Sequence, residues 1–455
     1  MRILHTSDWH LGQHFMGKSR EAEHRAFLDW LLEQIERQDV DALIVAGDIF
    51  DTGTPPSYAR ALYNQFVVEM RDSGCQLVIL GGNHDSVATL HESRDLLACL
   101  GTQVIGGLLA DPAEQVLQLN KRDGSPGALL CAVPFLRPRD LLESRAGQSG
   151  EQKQQALLTA VSQFYQQIFQ QAEHLRDALE VEGAKLPIIA TGHLTTVGGQ
   201  SSESVRDIYI GSLDALPVNA FPPADYIALG HLHRAQQVGG QRHIRYSGSP
   251  IPLSFDELSN DKQVLQVDFE GAELKEITPL AVPRFQPMAR LKGSLAQIEQ
   301  QLAVVLVTGE EPVEAAQAVK AEEQLGFDFL EPEPPTSVQE NEPETATQEL
   351  KKPIWLEVEV AEDDYLSDLQ NRVEAIVADK PVELLRVRRQ RKARVSSIQA
   401  EQQETLAELS VEEVFSRRLA EEALSEEQLP LLHTAFAQVV TELEQPEAVA
   451  EETNA

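Results

Sequence analysis

Ala42-Leu43-Ile44-Val45-Ala46-Gly47-Asp48-Ile49-Phe50-Asp51 is the stretch on which the fold reading turns. An unbroken apolar run that includes β-branched residues and closes on a glycine has the pattern of a strand buried on both faces. The residue directly after the glycine is an aspartate, a hard oxygen ligand placed where such a strand ends. The phrase recurs on both sides. Upstream it is Arg2-Ile3-Leu4-His5-Thr6-Ser7-Asp8-Trp9-His10. Downstream it is Leu77-Val78-Ile79-Leu80-Gly81-Gly82-Asn83-His84-Asp85, then Ile188-Ile189-Ala190-Thr191-Gly192-His193, then Tyr226-Ile227-Ala228-Leu229-Gly230-His231-Leu232-His233. Ligands of open α/β sheets collect outside the carboxyl ends of the strands, so these Asp, Asn and His residues can converge on one site.

The segments between the strands read as helices. Phe27, Leu28, Leu31, Leu32 and Ile35 lie at helical spacing, as do Leu62, Phe66, Val67 and Met70 after Pro55-Pro56-Ser57, and a helix is expected near 89–100. That is βαβα order, hence an α/β sheet packed by helices. Residues 106–135 read as strands with hairpin turns at Asp123-Gly124 and Pro126-Gly127, and 152–182 as a long Gln-rich helix. Arg242–Ser247 and Gln263–Phe269 look like strands that finish the sheet, so the first domain, 1–275, is expected to close near residue 275.

Beyond it the texture changes. Phe285–Leu291 is strand-like, Leu295–Leu306 helical, Ile354–Val360 alternates with period two, Tyr365–Ile376 is helical and Val382–Val387 closes a small split βαβ-type capping domain over 276–395. A Glu/Pro-rich insert at 308–350, with Lys320 its only base, has the composition of a disordered segment. It carries about a third of the net charge. After the basic run Arg386–Arg394 come apolar helical stripes at 396–443, suited to docking on a partner, and a disordered acidic tail at 444–455.

The formal net charge of −34 weighs against a nucleic-acid partner, but a divalent-metal site is itself acidic when empty, so the site has to decide. Cys75, Cys99 and Cys131 lack CxxC spacing and fit buried thiols of a reducing compartment. The N-terminus enters a strand at once, without a leader, and no apolar run approaches the roughly 20 residues of a membrane helix. A soluble cytoplasmic protein is the expectation.

Asp, His and Asn ligands suit Mn²⁺, Mg²⁺, Fe²⁺ or Zn²⁺ rather than copper or an iron–sulfur cluster. Each fragment alone has an ordinary structural reading; together, in order and each at a strand end, they do not. DxH (Asp8, His10), GDxxD (Gly47 to Asp51), GNHD (Gly82 to Asp85), GH (Gly192, His193) and GHxH (Gly230 to His233) resemble the motifs of calcineurin-like metallophosphoesterases. Thr6–Gly12, the GDIFD form and Tyr246–Phe255 resemble more narrowly the SbcD family of bacterial DNA nuclease subunits. The resemblance covers about residues 1–306 and 351–440; the insert departs from it.

The resemblance implies a sandwich of two central sheets flanked by helices, with a small α+β cap and C-terminal helices. It implies a first metal on Asp8, His10, Asp48 and His233, with Asp48 bridging to a second completed by Asn83, His193 and His231. Two cations about 3.5–4 Å apart need a shared carboxylate, and together they lower the pKa of a trapped water. His84 is implied to stabilise the transition state or protonate the departing oxygen, with Asp85 orienting its imidazole. Asp51 is placed behind a ligand histidine. Lys18, Arg20, Arg388, Arg389 and Arg391 are candidate DNA contacts; His14 and the basic run also fit solvated surface, and His5 a packed position in its strand.

The leading function is a metal-dependent endo- and exodeoxyribonuclease, most compatible with Mn²⁺, with Mg²⁺ as alternative. The resemblance implies a homodimer joined to the SbcC ATPase as a heterotetramer, using ATP through that partner, cutting double-strand ends and hairpins in DNA repair, recombination and replication, at the nucleoid. The stripes at 57–70 and 89–100 are candidates for the dimer bundle. Two alternatives stay open: a phosphodiesterase or phosphatase acting on small or protein substrates, and a DNA-end tether with a dead metal site.

Overall fold

The computed structural model describes residues 1–142, 149–179, 185–205, 215–308, 352–361 and 368–389. Residues 1–390 form one compact unit. The acidic insert, the C-terminal stripes, the tail and Arg391 lie outside the described residues.

The first sheet grows from βαβ units. β1 (Arg2–Thr6) is followed by a small hairpin of β2 (His14–Phe15) and β3 (Lys18–Ser19), then α1 (Glu21–Arg37), β4 (Ala42–Ala46), α2 (Ser57–Asp72) and β5 (Gln76–Leu80). Two one-turn helices, α3 (Val87–His91) and α4 (Arg94–Ala98), stand where one helix over 89–100 was expected, and β6 (Thr102–Ile105) follows. β1, β4, β5 and β6 are parallel neighbours. Their residues divide with period two. Leu4, Leu43, Val45, Leu77 and Ile79 pack outward under α1 and α2, while Ile3, Ile44, Val78 and Leu80 pack inward. A strand buried on both faces cannot show polar alternation, which is why these runs read as continuous apolar stretches.

The second sheet takes β7 (Val116–Asn120) and β8 (Pro126–Cys131), then, after the short α5 (Pro138–Leu141) and long α6 (Gly150–Leu179), β9 (Ile188–His193), β10 (Tyr226–Gly230), β11 (Gln236–Val238) and β12 (Gln241–Tyr246). Its order is β11-β12-β10-β9-β8-β7. Pro126-Gly127 lies inside β8, so the hairpin turns at Asp123-Gly124 alone. β13 (Gln263–Glu270) pairs antiparallel with β1, and β14 (Glu273–Ala281) with β13. That hairpin carries the sheet across the boundary expected at 275, to Ala281. Leu130, Ile189, Tyr226 and Ala228 meet the inward face of the first sheet, and α6 covers the far side of the second, giving α/β/β/α layers.

The smaller sheet holds β15 (Met288–Gly293), β16 (Ile354–Val360) and β17 (Val382–Arg389), with α7 (Leu295–Thr308) and α8 (Leu369–Val377) packed on it. All three strands are parallel and in chain order. No strand is inserted between partners, so the unit is two consecutive βαβ crossovers rather than a split one. β16 has the expected alternation: Leu356 and Val358 enter the core, whereas Glu357 is fully buried against Arg290 and Arg386. Phe15 of the early hairpin stacks on Trp355 with centroids 5.7 Å apart and meets Phe255 edge-on at 5.0 Å. Cys75 and Cys131 are buried as expected, but Cys99 is exposed.

Candidate metal centre

β1, β4 and β5 run parallel in one sheet and β9 and β10 in the other, so their carboxyl ends open on one edge. Past those ends the backbone keeps its register: Asp8 N donates to Gly47 O at 3.0 Å, and His10 N to Asp48 O at 3.1 Å. Four residues at this edge take left-handed φ: Asp8 (55°), His10 (47°), Asp48 (52°) and His231 (97°). Non-glycine residues seldom adopt that conformation, and it persists where surrounding contacts over-determine it. The motif glycines answer to crowding. A Cβ on Gly82 would overlap the Asp48 carboxylate, and one on Gly47 the His193 ring.

Asp48 sits in the middle. Its Oδ2 lies 3.6 Å from His10 Nε2 and 3.2 Å from His193 Nε2, and its Oδ1 accepts from His84 N at 2.9 Å. On one side the rings of His10, His84 and His233 cluster, His10 lying 4.7 Å from His84 and 5.2 Å from His233. On the other, His193 and His231 lie 5.3 Å apart. Asn83 Oδ1 is 2.9 Å from His193 Nε2 and 3.2 Å from His231 Nδ1. Three overlapping groups have ligand atoms within 4.8 Å of one another: Asp8, His10 and His233; His10, Asp48 and His84; Asp48, His193 and His231.

The tautomers suit a cation. His193 Nδ1 faces Ala46 O at 2.9 Å, and a carbonyl can only accept. The neutral ring therefore turns a lone pair, at Nε2, toward the Asp48 carboxylate and the Asn83 amide oxygen. Three acceptors facing one another need a proton or a cation between them. Without a cation the protons are redistributed. Burial alone would lower the His193 pKa, but the Asp48 charge overrides it and lifts the group to about 9. Burial works against the Asp48 anion too, yet the charges of His193 and His10 hold its carboxyl well below the usual range. His10 Nε2 and His231 Nε2 are buried with no hydrogen-bond partner among the described residues, which fits lone pairs that bind a cation.

Supporting groups stand behind these side chains. Asp51 Oδ1 lies 3.2 Å from His10 Nδ1. Ser7 donates to Asp8 Oδ2 at 2.5 Å, and His231 N to Asp8 Oδ1 at 2.9 Å. Asp85 departs from expectation. Its carboxylate accepts from Gly82 N (2.8 Å), Phe50 N (2.9 Å) and Ile49 N (3.1 Å), clamping the GNHD loop to the GDIFD loop. The His84 imidazole is instead held by Asp51 O, 2.7 Å from Nδ1. Arg137, which sequence reasoning passed over, binds the Asp85 carbonyl at 3.0 Å. Glu257 was also missed: fully buried, it lies 3.2 Å from His233 Nδ1 and 2.6 Å from Lys262 Nζ. A lone Glu just past the Tyr246–Phe255 stretch gives no sequence signal of that role.

The expected DNA contacts fare differently. Arg20 is buried, donating to Pro252 O at 2.5 Å, Gln13 Oε1 at 2.9 Å and Glu23 Oε2 at 2.7 Å, so it is a structural tie rather than a phosphate contact. Lys18 pairs with Glu383 at 2.8 Å. Arg388 lies 3.4 Å from Glu203 and 3.7 Å from Glu357, balancing acidic neighbours. Arg389 ends β17 and is exposed. His14 is exposed; His5 is buried in hydrogen bonds to Tyr226 (2.8 Å) and Leu229 O (3.2 Å).

Residues 1–235 match the calcineurin-like phosphoesterase family, and residues 330–423 match a family described as the type 5 capsule protein repressor C-terminal domain. The chain is 52% identical over 437 residues to the SbcD subunit of nuclease SbcCD from Escherichia coli strain K12, covering 96% of this chain and 97% of that one. It is 42% identical over 300 residues to the subunit of the same name from Rhodobacter capsulatus, covering 64% and 71%. For Bacillus subtilis the identity is 32% over 298 residues, covering 65% and 73%. The chain belongs to the calcineurin-like phosphoesterases and, within them, to the family of SbcD subunits of SbcCD nucleases. It is accordingly a metal-dependent nuclease, a hydrolase of phosphodiesters. No described helix is long and apolar enough to cross a membrane.

Proposed function

We propose that this nuclease works as the SbcD component of an SbcCD-type complex, cutting double-strand DNA ends and hairpins with two divalent cations, Mn²⁺ by preference. The single observation that carries the metal assignment is Asp48 Oδ2 lying between His10 Nε2 at 3.6 Å and His193 Nε2 at 3.2 Å. Asp8, His10, Asp48 and His233 would hold the first cation, and Asp48, Asn83, His193 and His231 the second. When bound, the pair supplies the positive charge that makes a water nucleophilic near neutral pH and offsets charge developing on the phosphate.

The chain's own residues do the rest. Asp48 is the shared carboxylate. Imidazoles and the neutral Asn83 amide keep the site from becoming too anionic for a phosphodiester to approach. His84 projects beside the cluster from a loop fixed by Asp85, with its Nδ1 on Asp51 O at 2.7 Å. A proton on Nδ1 leaves Nε2 to exchange protons with the substrate, so His84 is assigned to protonate the leaving 3′-oxygen or stabilise the transition state.

The 52% identity to the SbcD subunit of Escherichia coli, over 96% of this chain, supports an SbcC ATPase as partner. The proposed assembly is a homodimer of this chain within a heterotetramer with SbcC, acting on cytoplasmic DNA in repair, recombination and replication. The test is cleavage of an end-labelled DNA hairpin with Mn²⁺ by wild type and His84→Ala, with and without SbcC and ATP. Cutting that needs His84 and rises with the ATPase is expected. Hydrolysis of a small phosphodiester with no DNA cut in any combination would overturn the substrate and partner assignments.

A further inference from the structure

Burying a carboxylate costs several kcal/mol unless partners repay it, and Glu257 is fully buried. It ends a short 3-10 turn, Phe255–Glu257. Its Oε2 takes Lys262 Nζ at 2.6 Å, Leu253 N at 3.0 Å and Ser249 Oγ at 3.2 Å. Its Oε1 lies 3.2 Å from His233 Nδ1 and accepts from Ser202 Oγ at 2.8 Å. Ser204 Oγ bridges the same two groups, 2.7 Å from His233 Nδ1 and hydrogen-bonded to Oε1. Lys262 Nζ also reaches His233 O at 3.2 Å. The Glu257–Lys262 pair therefore grips both the ring and the backbone of one histidine.

We propose that Glu257, charge-balanced by Lys262, is the positioning residue that turns His233 Nε2 toward the first cation and strengthens it as a donor. The inference rests on the two-cation reading given above. A carboxylate at Nδ1 places the proton there and leaves the lone pair on Nε2 for the group that His233 forms with Asp8 and His10. It also raises the basicity of the ring, and loss of such partners characteristically weakens metal binding 10–100-fold. Elsewhere in the cluster His193 Nδ1 faces a neutral carbonyl, and His10 Nδ1 faces Asp51, also at 3.2 Å but with a side chain 23% exposed. Lys262 has a second effect. It cancels the charge of Glu257, so the reinforcement adds no further net anion beside Asp8, Asp48 and Asp51, where a phosphodiester must approach.

The experiment counts and weighs Mn²⁺ sites on the full-length chain by the free-ion electron paramagnetic resonance signal and by titration calorimetry, with thermal unfolding of the metal-free protein alongside. Wild type is expected to bind two ions. Glu257→Gln is expected to keep the second site and weaken the first about 10–100-fold. Because Glu257→Gln leaves Lys262 buried without its counter-ion, the double variant Glu257→Gln/Lys262→Met is measured too. It removes both charges at near-constant volume and is expected to fold while showing the same weakened site. A folded double variant that binds both ions as wild type does overturns the assignment and leaves the two-cation reading standing. A wild type that binds no ion, or one, overturns the two-cation reading itself.

Discussion

Replacing Asp85 distinguishes a clamp from a catalytic relay. In the structure its carboxylate satisfies three buried backbone N–H groups, those of Gly82, Phe50 and Ile49 at 2.8, 2.9 and 3.1 Å. Leaving a buried donor unpaired costs about 1–3 kcal/mol, so Asp85→Ala should lose roughly 3–6 kcal/mol once some water refills the space. That is a large share of the 5–15 kcal/mol by which domains are typically stable. Asp85→Asn keeps one acceptor oxygen and turns an NH₂ group toward a donor, so its loss should be about 1–3 kcal/mol. Urea unfolding of the metal-free protein reads the ordering wild type, Asn variant, Ala variant directly. Hairpin cleavage measured where each variant is folded reads the catalytic share, which should be modest for Asp85→Asn. An Asp85→Ala chain with the wild-type unfolding midpoint and no cleavage would refute the clamp and restore Asp85 as partner of the His84 imidazole.

Arg20→Ala should lose about 3–5 kcal/mol of stability, because it strands the buried Glu23 carboxylate, while the salt dependence of DNA binding stays unchanged. Acid should destabilise the fold through His5 and His24, which burial pushes down to about 3. Both stay neutral in the fold while the unfolded chain takes protons below about pH 6.5, so stability is complete above that pH and falls toward pH 3. At pH 5 each accounts for roughly 2 kcal/mol, and His24→Leu should flatten the slope in an unfolding series from pH 7 to 5. Chelation should lower the thermal midpoint, since protons then have to separate the acceptors around Asp48; Mn²⁺ at a hundred times its Kd should restore about 2.7 kcal/mol. An unfolding transition indifferent to the chelator would count against the site.

The edge where these side chains cluster was legible because strand endings write it into short motifs. A run such as Leu43–Ala46 followed by Gly47-Asp48 states both the strand and what stands at its end, and the Asp8, Asn83, His193 and His231 endings do likewise. The behaviour of Asp85, Arg20 and Glu257 was not legible. Asp85 follows His84 directly, yet the tight turn points its carboxylate at the GDIFD backbone. Arg20 reads as a loop cation until the fold closes Pro252 and Glu23 around it. Glu257 meets His233 through a turn whose path depends on both sheets. The strand Glu273–Ala281 alternates so weakly that its place beside β13 comes from pairing rather than pattern. Local residue types announce ligands; the partners behind them are fixed by tertiary closure.

The hydrogen bond from His231 N to Asp8, spanning 223 residues, has a consequence for the chain as it is made. At translation speeds of about 5–20 residues per second, Glu257 leaves the ribosome some 10–50 s after Asp8. Between the synthesis of Asn83 and that of His193 the nascent protein holds Asp8, His10, Asp48 and Asn83 without His193, His231 or His233, only part of the ligand set of the two-cation reading. Three of the four imidazoles of that reading arrive last. On the two-cation reading, both sites are complete only once β9 and β10 dock against β4, which makes metal binding an event of folding.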